Sequence, residues 1–289
     1  MFSVLDMFTI GVGPSSSHTV GPMCAAQAFA SSLEESGAVS RVGRIRVVLY
    51  GSLSLTGLGH GTDRAILAGL EGNVPATVDT DYLLSVRERC AHDGTIHVNG
   101  TNAIAYDDDG DMVFDRWKRL APHPNGMRFQ AFDAQGNIID EQVWYSIGGG
   151  FIRRGRIDDA LISNHEQTPA SSQPPKDSGN DETAEYGDGV PYPFVSCDGL
   201  IDLCRKHHLS IADVVWANET ARRSPQEVRD RLTRIWNVMS HCIDAGCASA
   251  TPTLPGGLDV PRRAPMMYRR LAANSDVLRR DRRDRKSVV

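Results

Sequence analysis

Hydrophobic and polar positions change their period along this chain, and the change divides it. From residue 1 to about residue 155, short apolar runs alternate with Gly, Pro and Asp punctuation. Met23, Ala26, Phe29, Ala30 and Leu33 recur at helical spacing, with Pro22 suited to the first helical position and Gly37 to the end. Residues 44–50 predict a strand with Ile45, Val47 and Leu49 on one face. After a glycine-rich loop, the pattern predicts a helix over 63–71, capped by Thr62 and stopped by Gly72. Residues 95–98, 102–106 and 112–114 alternate around Asp/Gly turns, and 127–132 with 138–145 form a further pair. Several strands with a few helices predict an α+β domain.

Residues 163–190 break this pattern, with Tyr186 and Val190 as their only sizeable apolar side chains. So little apolar surface does not offset ordering, which predicts a flexible linker. The period then becomes helical. Leu200, Ile201, Leu203 and Cys204 share a face after Ser196, and Ser210 can cap the segment 211–219. Ser224-Pro225-Gln226-Glu227 reads as a capping box opening a helix with Val228, Leu232, Ile235, Met239, Cys242 and Ile243, stopped by Gly246. The expected organisation is an α+β domain over 1–155, a linker over 156–190, the start of an all-helical domain over 191–271 and a basic tail over 272–289. The helical domain reads as incomplete, because no apolar stripe follows Leu271 to close a core.

Composition adds few constraints. A chain of 289 residues with 40% hydrophobic and 23% charged residues is ordinary for a globular protein, with room for two domains at ~100–200 residues each. No uninterrupted apolar run reaches the ~18 residues of a membrane span, and the N-terminus lacks the basic and apolar regions of a signal peptide. The six cysteines are therefore expected as reduced thiols of a cytoplasmic protein. The net charge of −5 conceals a basic end, since residues 261–289 hold ten Arg/Lys against three Asp. The acidic body excludes a nucleic-acid partner.

Candidate chemistry concentrates in two loops. Gly13-Pro14-Ser15-Ser16-Ser17-His18-Thr19 enters a helix, where free N–H groups suit a carboxylate or phosphate; a polar turn that only caps the helix is equally compatible. The loop 51–63 lacks the Gly-Lys-Ser/Thr of a phosphate loop, and its glycines do not fit a dinucleotide fingerprint, but it presents His60. His123-Pro124-Asn125 reads as a turn, and Gly148-Gly149-Gly150 as either a close approach to a ligand or an unusual backbone path. Asp107-Asp108-Asp109-Gly110-Asp111 lacks the EF-hand register and reads as a solvated turn. Cys242 and Cys247 beside His241 lack a second pair of ligands and, with Cys197 and Cys204, read as small core residues.

Taken together and in order, the segments 13–19, 51–63, 123–125 and 146–151 closely resemble bacterial L-serine dehydratase of the iron–sulfur type. The resemblance continues through Met239–Cys247, Leu254-Pro255-Gly256-Gly257-Leu258 and Arg262-Arg263-Ala264, covering roughly residues 1–271. It implies a β-type N-terminal domain, a helical catalytic domain with a [4Fe–4S] cluster, and conversion of L-serine to pyruvate and ammonia. On the matching positions it implies that Ser15, Ser16, Ser17 and Thr19 hold substrate, that His60 or His18 moves the proton, and that His123 and Asn125 complete the pocket. The cluster-ligand cysteines of the family lie downstream of the segments matched here, so the metal ligands are expected outside this sequence, which reads as C-terminally truncated. This chain alone is expected neither to keep a cluster nor to deaminate serine. A serine-binding or regulatory fragment and one half of a split enzyme stay open. L-serine, a second copy of the chain and a complementary C-terminal α-domain polypeptide are the partners implied. A pyridoxal-phosphate route is disfavoured, because Lys118, Lys176, Lys206 and Lys286 are the only lysines and none is set for a Schiff base.

Overall fold

The computed structural model describes residues 3–164, 189–254 and 259–273. These fall into two compact units: residues 9–164 with residue 259, and residues 3–8 together with 189–254 and 260–273. Most of the segment read as a linker (165–188) and of the basic tail (274–289) lies outside the described residues.

The first unit is α+β. Helix α1 (Gly21–Glu35) buries Met23, Ala25, Ala26, Phe29, Ala30 and Leu33. Strand β1 (Arg44–Tyr50) alternates as its sequence requires. Ile45, Val47 and Leu49 join the core that includes Phe29, while Val48 and Tyr50 join a smaller cluster with Leu120, Val143 and Tyr145. Helices α2 (Ser52–Thr56), α3 (Thr62–Leu70) and α4 (Thr80–Asp93) follow, then β2 (Thr95–Val98) and β3 (Asn102–Ala105). The helical turn α5 (Asp108–Asp111) leads into β4 (Met112–Asp115), β5 (Lys118–Leu120), β6 (Gly126–Phe132), β7 (Ile138–Gly148), β8 (Phe151–Arg154) and β9 (Leu161–Ser163). The main sheet runs β2-β3-β1-β6-β7-β8, with β4 also pairing β1 and β5 pairing β9 separately. β3 and β4 run parallel to β1, and β6 runs antiparallel to it. Phe29 of α1 stacks on Phe129 of β6 at 5.2 Å between ring centroids, fixing helix to sheet.

Two local readings need correction. Helix α4 has no counterpart in the predicted pattern, because it buries only Leu83, Val86 and Cys90, too thin a stripe to register as amphipathic. The acidic run 107–111 is not a solvated turn. Asp111 is 1% exposed and paired with Arg44, and Asp108 is held by Arg87. Asp107 and Asp109 are exposed, but Asp108 and Asp111 are held by arginines from α4 and β1, and the buried carboxylate of Asp111 is retained only because it is paired.

The second unit is helical: α6 (Cys197–His207), α7 (Ile211–Thr220), α8 (Pro225–Ala248) and α9 (Ala264–Ala273). Ser196, Ser210 and Ser224 all cap as expected. The reciprocal box, however, forms between Ser210 and Asp213, while Glu227 lies within ion-pair distance of Arg223 and Arg231. The buried carboxylate of Glu219 accepts from Ser3 Oγ, Val4 N and Arg223, which ties the turn Val4–Asp6 to α7. The cysteines are not core residues here: Cys197 and Cys242 are exposed and Cys204 and Cys247 half-buried. Spacing can specify an apolar stripe on α8, but not whether another element lies against it, and Val228 is its one buried residue. Among the described residues no helix is long and apolar enough to cross a membrane.

The crossing of α1 and α3 is set by Gly69. A Cβ there would lie 2.3 Å from the Met23 carbonyl oxygen and 2.8 Å from Ala26 Cβ. Gly69→Ala is therefore expected to destabilise the unit by about 1–3 kcal/mol through overpacking, read as a lower urea midpoint at unchanged slope. Unchanged or raised stability would show that the two helices can separate without loss.

Candidate active site

The loop 13–19 becomes a turn that is held mostly by its own hydroxyls. Ser15 stands before the single π-type turn Ser16–Val20 and accepts from His18 N at 3.2 Å, closing it at its N-terminal end. Ser17 Oγ meets His18 Nδ1 at 2.9 Å, and Ser15 Oγ lies 3.4 Å from Ser17 Oγ. His18 Nε2 meets Ser52 Oγ at 3.0 Å, so this imidazole is bonded at both nitrogens. Ser16 is exposed, whereas Thr19 is 1% exposed.

The second loop is tied to the first from both directions. Thr19 Oγ1 donates to the His60 carbonyl at 2.9 Å, and Thr62 Oγ1 donates to the His18 carbonyl. The two imidazoles come to 5.0 Å between centroids. Burial, and then the neighbouring His60, hold the His18 ring below the usual histidine range. His60 Nδ1 lies 2.9 Å from the Thr56 carbonyl oxygen. A carbonyl only accepts, so Nδ1 carries the proton and the neutral ring keeps its lone pair on Nε2.

The third segment joins through Gly51, whose φ of +56° and close approach to the Pro124 carbonyl exclude a side chain. Ser52 N donates to that same carbonyl at 2.9 Å. His123 Nδ1 accepts from Asn125 N at 3.1 Å, which places the proton of its neutral ring on Nε2 as a donor. Burial lowers the affinity of His123 for a second proton, and Arg153 adds to this. Asn125 Nδ2 donates to the Ser146 carbonyl, and Ser146 N donates back to the Asn125 carbonyl. The run Gly148-Gly149-Gly150 has positive φ throughout (98°, 63° and 85°) and joins β7 to β8. These angles give the unusual backbone path that only glycine adopts readily.

The structure thus brings Ser15, Ser17, His18, Thr19 and His60 into one hydrogen-bonded set. His123 and Asn125 attach to that set through the backbone of Pro124. Sequence reasoning did not single out Ser52, and it read Thr62 only as the cap of the next helix; Thr62 is instead the first residue of α3, which has no side-chain cap, and its hydroxyl goes to His18. A cleft of about 630 Å³ opens beside the set. Thr19 and His60 line it together with Asp63, Arg64, Leu84 and Arg87.

The donor set for a metal is a different matter. All six cysteines are among the described residues, as free thiols. Burial pushes the Cys90 thiol up to about 12 and raises that of Cys24, the reverse of what thiolate ligation needs. No three His, Cys, Asp or Glu side chains converge among the described residues. These residues do not fit an iron–sulfur cluster.

Comparison with known proteins gives concordant results. The family model described as Serine dehydratase beta chain matches residues 3–156. An L-serine dehydratase of Streptomyces coelicolor is 41% identical over 95% of this chain. L-serine dehydratase 1 of Escherichia coli is 38% identical over 97%, and the L-serine dehydratase of Haemophilus influenzae 36% over 96%. The chain spans 56% of the length of each of these relatives.

His18 and His123 generate a pH prediction. Both have folded pKa values below the ordinary 6.5, so the unfolded chain takes up their protons first as pH falls. Their contribution to stability is complete above 6.5 and is lost as pH falls from there toward the folded values. Urea unfolding followed from about pH 7.5 to 5.5 is expected to show falling stability. In the double variant His18→Gln/His123→Gln that slope flattens; an unaltered slope would assign the acid sensitivity to other groups.

Proposed function

The chain belongs to the serine dehydratase family, and from that premise we propose that it supplies the substrate-handling and proton-transfer residues of an L-serine dehydratase. The observation that carries the assignment of roles is the hydrogen bond from His60 Nδ1 to the Thr56 carbonyl. It leaves the Nε2 lone pair of His60 free to take the α-proton of L-serine, which makes His60 the base. The Cβ–O bond breaks as the proton is taken, the departing hydroxide receives that proton from His60 and leaves as water, and 2-aminoacrylate remains. Tautomerisation and hydrolysis then give pyruvate and ammonia.

The other residues orient. Ser16, whose side chain is exposed, offers a hydroxyl to the substrate. Ser15, Ser17 and Thr19 act mainly by shaping the turn that carries His18. His18, bonded to Ser17 and Ser52, serves the substrate as a neutral partner rather than as the base. His123, donating through Nε2, and Asn125 close the pocket on the substrate carboxylate.

The resemblance also implies a [4Fe–4S] cluster, which in such an enzyme supplies Lewis acidity toward the substrate oxygens. The described cysteines do not fit it. We therefore assign its ligands to the part of the relatives that this chain does not span, on the same polypeptide or on a complementary one; a second copy of the chain is the other partner to examine. The six free thiols accord with a reducing, cytoplasmic setting.

The test is an anaerobic assay for pyruvate after reconstitution with iron and sulfide, with this chain alone and with that missing part of a relative added. Pyruvate is expected only with the complement. His60→Gln should then lower kcat by about 10²–10⁴-fold, with L-serine binding retained in calorimetry. If His60→Gln keeps turnover while His18→Gln loses it, the two histidines exchange roles. Robust turnover by the chain alone would overturn the need for the part of the relatives that it does not span.

A further inference from the structure

Beside His60 the wall of the cleft carries an ionic bridge to which the reaction assigns no part. The turn Leu58–His60 ends at Gly61, and α3 begins immediately afterwards with Thr62 and Asp63. The Gly57 carbonyl accepts from both His60 N, at 3.0 Å, and Thr62 N, at 2.9 Å. A slide of the first turn of α3 therefore pulls on the His60 turn through a shared acceptor.

Asp63 is 3% exposed. One of its oxygens takes Arg87 Nη1, and the other has no hydrogen-bond partner among the described residues. Arg87, on α4, turns its remaining edge to Asp108, with Nε at 3.0 Å and Nη2 at 2.8 Å. Tyr106 O–H donates to the same Asp108 at 2.7 Å. One planar guanidinium thus joins the start of α3, the middle of α4 and the turn α5. Asp63, Arg87, Asp108 and His60 all line the same cleft.

We propose that Arg87 is the positioning residue for His60: by bridging Asp63 to Asp108 it holds the first turn of α3 where His60 Nδ1 meets the Thr56 carbonyl. The bridge requires a fork. A lysine ammonium is a point charge and cannot span both carboxylates with the same geometry. Loss of Arg87 alone strands a buried carboxylate, which endangers folding. The informative variant is therefore Asp63→Asn/Arg87→Met, which removes the bridge and leaves no charge buried at position 63. This inference rests on His60 being the base, but its test does not depend on turnover.

The experiment uses the full chain. The imidazole ¹⁵N–¹H correlation of His60, assigned by its loss in His60→Gln, reports the tautomer, and hydrogen exchange reports the backbone. In the double variant and in Arg87→Lys, the His60 signal is expected to move from an Nδ1-protonated ring to a mixture of tautomers. Exchange at His60 and Thr62 should accelerate about tenfold or more while the amides of β6 and β7 keep their protection. In the complemented pyruvate assay, kcat should fall about tenfold with KM unchanged, as expected for a loss in the transition state alone. An unchanged tautomer and unchanged exchange in a folded double variant, or in Arg87→Lys should the double variant not fold, would overturn the proposal. A chain that does not dehydrate serine even with the complement, yet loses the tautomer on substitution, would overturn the functional reading and support this one.

Discussion

Two threonine hydroxyls hold the site together. Thr19 donates to the carbonyl of His60, and Thr62 donates to the carbonyl of His18, so each histidine's backbone is fixed by the other's loop. The tie is made by backbone carbonyls, which cannot rotate away as side chains can, and this leaves both imidazoles free for other bonds. It forms only if α1 and α3, the helices that the two loops enter, cross closely. Gly69 allows that crossing by placing no side chain between α3 and the Met23 carbonyl. The stacked pair Phe29 and Phe129 then fixes α1 against the sheet. A close helix crossing, a reciprocal tie and the spacing of two rings follow from one another in that order.

Hydrogen bonding gives those two rings different characters. His18 is bonded at both nitrogens to serine hydroxyls, half-buried, and held toward its neutral form. His60 is bonded at one nitrogen to a carbonyl, which decides the tautomer and leaves the other nitrogen its lone pair. Two histidines 5.0 Å apart thus differ in bonding, and the roles proposed for them follow that difference. Around them groups without charge are oriented by hydroxyls and amides, while Arg87 with Asp63 and Asp108 forms an ionic bridge in the cleft wall. A paired carboxylate in the wall of the cleft adds orientation without placing a free charge beside His60.

Much of the fold was legible where period and chemistry agreed. The strand over β1, with Ile45, Val47 and Leu49 on one face, appears in place because alternation has one structural meaning when both faces are buried. The starts of α6, α7 and α8 were legible because a serine cap is local chemistry. Helix α4 was not, because its three buried residues fall below what periodicity resolves. The acidic run 107–111 looked like solvated surface because its partners, Arg44 and Arg87, lie far away in the chain. Cys242 was expected inside and is exposed, because a stripe on a helix says nothing about what covers it.

By itself the sequence determined the residue types of the site and their order: three serines and a histidine before one helix, a histidine before the next, and a His-Pro-Asn turn at a strand. These are local facts, set by caps, turns and glycine. Which histidine has a free nitrogen was decided only by tertiary structure, because it depends on whether the ring meets a hydroxyl, which can donate or accept, or a carbonyl, which only accepts. The same holds for Ser52, an ordinary loop residue in the sequence, and Thr62, read there as a helix cap, which become partners of His18 once two loops are folded together. Spacing along a chain specifies how a segment bends; the protonation of a ring depends on atoms that the rest of the chain brings to it.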